Sequence, residues 1–376
     1  MKLFIGTESM LIYPCGIAVY VKQLLREFVK DYNYDIYTAL KALSPKTHAR
    51  LRQKIREHID NNIKCRSIYL PGRYSWTPLQ KIIAPKCDIA HFTSNIIPPY
   101  LPCYDITKSV ITIHDMFMWH TDMSFYNKNV SSYYFQHQPE QAQNCAAVIT
   151  VSEFSKKEIV NFLGIPEQKI HVIPIATQWD VALPEQCNIL SQYGLEKKKY
   201  FLSVSTLHKH KNHTGLCQAF AKYHSSKNYA GEKLVIVGSR QYGDENIYDQ
   251  FLHTPDMIHI PRVSEIELRY LYAEAKGFFL VSKLEGFGIP LLEAMSCRIP
   301  ACYGKGNSMD EIGRDAAVGA EPEDIDSIAD VFHYFSESSA DLQDRIEKAY
   351  QISQEYSWQK TAEKHSILYQ QVVKNK

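Results

Sequence analysis

Short apolar runs alternate with longer amphipathic stretches along this chain of 376 residues, and they fall into two series. In the first, Lys2–Ile5, Ile36–Leu40, Asp88–Phe92, Ser109–Ile113 and Ala147–Val151 read as strands. The second consists of Tyr200–Val204, Lys233–Val237, Ile258–Ile260 and Gly277–Val281. Gly277–Val281 is wholly apolar, the pattern of a strand buried on both faces of a parallel sheet. The stretches between carry helical spacing, as in the segment after Gly16 with Val19, Leu24, Leu25 and Phe28. Strand and helix in alternation predict an α/β protein with two doubly wound, Rossmann-like domains. The domains are expected over 1–175 and 199–355, with a less regular linker at 176–198. A helix at 356–376 carries Trp358, Ile367, Leu368 and Tyr369.

The polar residues that interrupt this pattern gather at the carboxyl ends of the strand-like runs, where open α/β sheets bind ligands. Ser282-Lys283-Leu284-Glu285-Gly286-Phe287-Gly288-Ile289-Pro290-Leu291-Leu292-Glu293-Ala294-Met295 follows the apolar run at 277–281. Gly286 and Gly288 permit a tight backbone and Pro290 suits the first residue of a helix, so the segment reads strand, loop, helix. Glu285 is expected in the loop and Glu293 in the first turn of the helix, both facing one crevice. A carboxylate accepts hydrogen bonds from neighbouring hydroxyls, so one acid suits a ribose diol and the other a pyranose hydroxyl. The plainer alternative is that Glu293 complements the helix dipole and Glu285 is solvated.

Glu285-Gly-Phe-Gly-Ile-Pro followed by Leu-Leu-Glu293-Ala-Met resembles the signature of family 4 glycosyltransferases of GT-B fold. The resemblance implies an inter-domain cleft, a first domain on the acceptor side, a second that binds the nucleotide sugar, and a terminal helix that crosses back onto the first. Other segments resemble the family as well. Gly16-Ile17-Ala18 is similar to its Gly-Ile-Ala/Gly loop, implying that amides at Gly16 approach a diphosphate, although Val19 stands where an arginine is often found. Ile113-His114-Asp115 resembles the stretch whose histidine contacts the donor sugar. Asp115 orients His114 or caps the helix that follows. His91 is either a structural histidine or a second ligand at the crevice mouth. Val151-Ser152-Glu153-Phe154-Ser155 matches the close of the first domain, with Ser152 or Ser155 as a helix cap and Glu158 three residues after Ser155.

In the second domain Lys211-Asn212 resembles the segment whose cations bind the donor diphosphate. Ser205 replaces the usual glycine there and His210 the usual arginine. Lys209 is one substitute cation; alternatively phosphate binding is weaker, or His210 makes it pH-dependent. Val263 is the expected base contact through its backbone, and Arg262 either reaches the base or lies on the surface. By resemblance, then, His114, Glu285 and Lys211 are the catalytic set. Gly16, Lys209, Lys211, Val263, Gly286, Phe287, Gly288, Ile289 and Glu293 are the donor-binding set.

Composition adds limits. A net charge of +1 with 22% charged residues offers no global field for nucleic acid. Nine cysteines, with no CxxC pair, suggest reduced thiols and a cytoplasmic protein. Met1-Lys2 leads straight into a strand-like run, so no signal peptide is expected, and no apolar run reaches membrane-spanning length. Between Lys46 and Arg66 seven basic residues accompany Leu51, Ile55, Ile59 and Ile63. That is an amphipathic helix suited either to the face of an anionic bilayer or to packing on a sheet. No Asp-X-Asp motif stands at a strand end, so neither a metal nor any other cofactor is expected.

The expected activity is retaining transfer of a hexose from a nucleotide diphosphate sugar to a hydroxyl of a glycan or lipid-linked acceptor. The combined motifs resemble bacterial polysaccharide and O-antigen mannosyltransferases, which makes GDP-mannose the first donor to consider. A same-fold epimerase, a glycan phosphorylase and a catalytically silent binding scaffold remain as rivals. A dehydrogenase is disfavoured because no GxGxxG follows the first strand.

Overall fold

The structure, a computed structural model, describes residues 1–7, 16–42, 53, 66–71, 86–97, 105–120, 128–177, 179, 187–240, 254–337 and 339–374. The chain divides into two compact units, one from Met1–Thr121, Tyr126–Gln178 and Ser357–Lys376 and the other mainly from Trp179–Tyr356. Of the expected basic helix at 46–66, Gln53 and Arg66 are the described residues, and Arg66 opens a strand.

Among the described residues the first unit holds seven strands: β1 Lys2–Ile5, β2 Asp35–Ala42, β3 Arg66–Pro71, β4 Ile89–Phe92, β5 Ser109–Thr112, β6 Ala147–Thr150 and β7 Ile170–Val172. They form one parallel sheet in the order β3-β2-β1-β4-β5-β6-β7. Its described helices are α1 Gly16–Asp31, α2 Lys128–Asn144 and α3 Glu153–Leu163, with a terminal helix considered below. Phe4, Phe92, Ile111 and Val148 from the strands pack with Ile159 and Leu163 of α3.

The second unit repeats the plan with β8 Tyr200–Val204, β9 Lys233–Val237, β10 Met257–Ile260, β11 Gly277–Leu280, β12 Ala301–Gly304 and β13 Val318–Ala320. These too are parallel, in the order β10-β9-β8-β11-β12-β13. The described helices are α4 Ile189–Gln192, α5 His213–His224, α6 Glu265–Glu274, α7 Ile289–Ser296, α8 Met309–Gly313, α9 Ile325–Ser336 and α10 Ala340–Ser353. Phe279 of β11 stacks on Phe332 of α9 at 4.0 Å between ring centroids, and Phe201 of β8 meets the same ring edge-on at 4.9 Å.

The last helix, α11 Trp358–Lys374, returns to the first unit and packs on α1. Trp358 Nε1 donates to the Thr177 carbonyl at 2.8 Å and Thr361 Oγ1 to that of Pro174 at 2.8 Å. Leu368 and Tyr369 are buried, whereas Ile367 faces outward and is 50% exposed. β3, β7, β12 and β13 were not expected from the sequence pattern. β7 and β13 have three residues each and sit at sheet edges, too short for a periodic signal.

Both sheets reverse strand order once, between β1 and β4 and between β8 and β11. A crevice opens at such a switch point beyond the carboxyl ends of the strands. In the second unit the segments that follow β8 and β11 are those singled out in the sequence.

Candidate active site

After β8 the chain runs through Ser205 and a short 3-10 turn, Lys209–Lys211, to Asn212, which takes a left-handed conformation at φ 57 before α5. Asparagine is among the few L-residues that enter this region readily, which accounts for the Lys-Asn pair. After β11 the chain turns at Glu285 and Gly286 to enter α7. The two loops are joined by a backbone hydrogen bond from Lys283 N to His210 O at 2.8 Å. Beside it Lys211 Nζ donates to Glu285 Oε1 at 2.7 Å. Ser282 Oγ donates to the same oxygen at 2.8 Å, and Ser308 Oγ holds the Glu285 carbonyl at 2.7 Å. Both donors converge on Oε1, so Oε2 has no hydrogen-bond partner among the described residues. The carboxylate is thereby fixed with one oxygen left to accept from a hydroxyl.

Gly288 stands at φ +99 as the residue before α7, and a Cβ there would meet Met309 Cγ at 2.7 Å. Only glycine supplies this backbone without strain. The amides of Phe287, Gly288 and Ile289 make no hydrogen bond to another described residue, the normal state of a helix start and a setting that suits an anion. Phe287 is itself buried, edge-on to Tyr356 at 5.8 Å.

Glu293 departs from expectation. It lies in the second turn of α7, because the helix begins at Ile289, and it is only 4% exposed. Burial pushes its pKa up to about 8, against the lowering effect of a hydrogen bond from the buried Tyr272. The helix-dipole alternative weakens with this placement, since that effect fades after the first turn.

The departures at Ser205 and His210 also find their place. Ser205 Oγ and His213 Nε2 are 3.0 Å apart, and His213 is held neutral by burial and by Lys211, with a pKa of about 3. His210 Nδ1 pairs with His208 Nδ1 at 2.8 Å. Burial, and then Lys211, drive the His210 pKa far below the usual histidine range. His210 is therefore neutral at physiological pH, and neither a replacement cation nor a titrating switch near neutrality is found there. Lys209 is exposed on the same turn. Val263 is half-buried and Arg262 exposed, just beyond β10. Ser308 and His208 were missed in the sequence, while Ser282 and His210 were named there without the contacts they make; polar residues clustered after Tyr200–Val204 were the cue to His208 and nothing marked Ser308.

In the first unit, Gly16 is the exposed first residue of α1, and Tyr13–Cys15 before it lie outside the described residues. His114 follows β5 and is 7% exposed. Its Nε2 donates to the Thr93 carbonyl at 2.9 Å, and its backbone amide is held by Asn95 Oδ1 at 2.8 Å. Burial lowers its pKa, so the ring is neutral, with Nδ1 as its accepting nitrogen. Asp115 Oδ1 accepts from Phe117 N at 3.1 Å at the head of the turn Phe117–Trp119, which favours a role in holding that turn. Ser152 caps α3 and Ser155 Oγ donates to the His114 carbonyl at 3.2 Å. Glu158 forms no capping box; it pairs with His120 at 2.8 Å. His91 proves structural, fully buried and bonded on both ring nitrogens.

Two family models match the chain. The one for "Glycosyltransferase Family 4" covers residues 14–176 and the one for "Glycosyl transferases group 1" covers 188–352. The chain belongs to the family 4-like glycosyltransferases of GT-B fold. Among its relatives is the O-antigen chain mannosyltransferase B of Escherichia coli, 30% identical over 236 residues that make up 61% of each chain. Another is the O-antigen chain mannosyltransferase RfbU of Salmonella typhimurium, 26% identical over 58% of each chain. These alignments span less than two thirds of the curated relatives. The crystal structure of Anabaena HepE in complex with UDP and glucose superposes with a TM-score of 0.76 over 99% of this chain and 100% of that one, at 16% identity. At that identity the likeness carries the fold.

No helix among the described residues is long and apolar enough to cross a membrane.

Proposed function

We propose that this protein moves a hexose, with mannose from GDP-mannose as the first candidate, from a nucleotide diphosphate sugar to a hydroxyl of a glycan or lipid-linked acceptor. Retention of configuration, independence from metal, and a site at the cytoplasmic face of a membrane belong to the same proposal. The observation that carries it is the Lys211–Glu285 pair, held across the switch point of the second unit with Glu285 Oε2 left open. A diphosphate leaving group and a pyranose hydroxyl need those two functions side by side. Support for the mannosyl donor comes from the O-antigen mannosyltransferases among the relatives.

In this reading Lys211, with Lys209, and the amides at Gly16 and at Phe287 to Ile289 meet the growing charge on the departing diphosphate. Such electrostatic help dominates many transfers of this type. Glu285 Oε2 and His114 Nδ1 accept hydroxyls of the sugar, Glu293 the ribose, and the Val263 backbone contacts the base. The bond from C1 to the phosphate oxygen breaks as the acceptor oxygen bonds C1 from the same face. The acceptor proton passes to the departing phosphate, and no protein nucleophile is needed.

A thermal-shift panel of GDP-, UDP-, ADP- and dTDP-sugars tests the donor, since a ligand of the folded state raises its melting temperature. GDP-mannose is expected to give the largest shift; a larger response to another nucleotide overturns that choice. Lys211→Ala is expected to lower transfer by about 100-fold, the scale of one lost donor to a developing anion. Unchanged transfer in the folded variant removes Lys211 from the mechanism.

A further inference from the structure

The first unit contains a run of buried polar groups that the proposed reaction does not use. Tyr20, His91, Thr112, His365 and Tyr369 are each fully buried. They come from α1, β4, β5 and, for the last two, α11. His365 Nδ1 lies 2.7 Å from the Thr361 carbonyl, Tyr20 Oη 2.7 Å from His365 Nε2, and Thr112 Oγ1 3.1 Å from Tyr20 Oη. His91 Nε2 is 2.7 Å from Thr112 Oγ1, and Tyr369 Oη 2.6 Å from His91 Nδ1.

Proton positions in this run follow from donor and acceptor chemistry together with the neutrality of its two buried imidazoles. A carbonyl only accepts, so His365 carries its proton on Nδ1. Burial keeps that ring neutral, its pKa lowered to about 4, which leaves Nε2 bare to accept the Tyr20 hydroxyl. Tyr20 has a single proton, so at Thr112 its oxygen accepts. Thr112 then accepts from His91 Nε2–H, and His91, held neutral by burial, accepts from Tyr369 at Nδ1. Every bond points one way, out of α11 at Tyr369 and back into it at Thr361.

The ring of Tyr20 packs edge-on against His114, 4.9 Å between centroids at 84°. We propose that Tyr20 is a positioning residue for His114, its ring plane fixed by this one-way chain so that docking of α11 sets the orientation of the His114 imidazole. The proposal rests on the reading of His114 as a sugar contact, but the chain itself does not.

Nitrogen NMR of ¹⁵N-histidine in the full-length protein reads the tautomers directly. His365 is expected as Nδ1–H, and His91 and His114 as Nε2–H; an Nε2–H tautomer at His365 overturns the chain. Tyr20→Phe keeps the ring and removes the hydroxyl. It is expected to shift the His114 ring signals and lower kcat by about tenfold with KM for the donor nearly unchanged, as a misplaced contact does. Tyr34→Phe is the control, because Tyr34 Oη pairs with Ser366 Oγ at 2.5 Å on the same helix outside the chain. It is expected to lower stability while kcat and the His114 signals stay put. Unchanged His114 signals in folded Tyr20→Phe, or an equal fall of kcat in Tyr34→Phe, overturn the positioning role. Should His114→Ala leave transfer intact, the functional reading of His114 fails while the tautomer result still decides the chain.

Discussion

Glu293 pairs a raised pKa with near-complete burial, and the two together fix how this residue acts on stability. Its folded pKa of about 8 lies above the ordinary value of 4.5. Between those values the folded protein holds a proton that the unfolded chain has released, so stability present below pH 4.5 is lost as pH rises toward 8. Glu293→Gln is neutral throughout and lacks this slope. Thermal unfolding from pH 5 to 9 should therefore show the wild type losing stability relative to the glutamine variant, and parallel profiles would refute the assignment. Burial of this kind was not visible in the sequence, where Pro290 as first helical residue placed Glu293 in the first turn, whereas the helix begins at Ile289. The pairing of Lys211 with Glu285 was equally hidden, because their proximity is created by the order of β8 and β11 and not by anything local to either residue.

The loop from β11 into α7 shows how an element positions chemistry. Gly288→Ala forces a left-handed backbone on an L-residue and drives a Cβ toward Met309, at 2.7 Å from its Cγ. The strain alone costs about 1–3 kcal/mol. Denaturant unfolding should report a loss of that size, and nucleotide-induced thermal shifts should shrink because the amides of Phe287 to Ile289 move with the loop. A variant as stable as the wild type with full nucleotide response would mean that the turn is not constrained as described. This element was legible in the sequence because apolar run, glycines and proline agree on strand, loop and helix. The strands buried on both faces, β1, β8, β9 and β11, were legible for the same reason. Edge strands such as β7 and β13 were not, since three residues carry no period. Glu158 is a similar case: its spacing from Ser155 fits a capping box, but the cap is Ser152, which puts Glu158 in the second turn, where it pairs with His120.

At the scale of the whole molecule, two sheets of the same plan are each closed by their own core, yet the last helix belongs to the first of them. Trp358, Ala362, His365, Leu368 and Tyr369 are all buried in the first unit, and α11 supplies both ends of its polar chain. Removing this helix strips apolar surface from α1 and takes one of their two hydrogen-bond partners from Tyr20 and from His91, a cost that adds lost burial to unsatisfied polar groups. The second unit loses nothing from its own core, in which Phe201, Phe279 and Phe332 interlock. A chain ending at Tyr356 should consequently lose hydrogen-exchange protection in β1, β4 and β5 while β8 and β11 stay protected. Lys211, Glu285 and the α7 start all lie in the surviving unit, so the shortened chain should still bind a nucleotide diphosphate while sugar transfer is lost. Collapse of both units together, or survival of both, would show that stability is not partitioned along the sheets as their separate cores require.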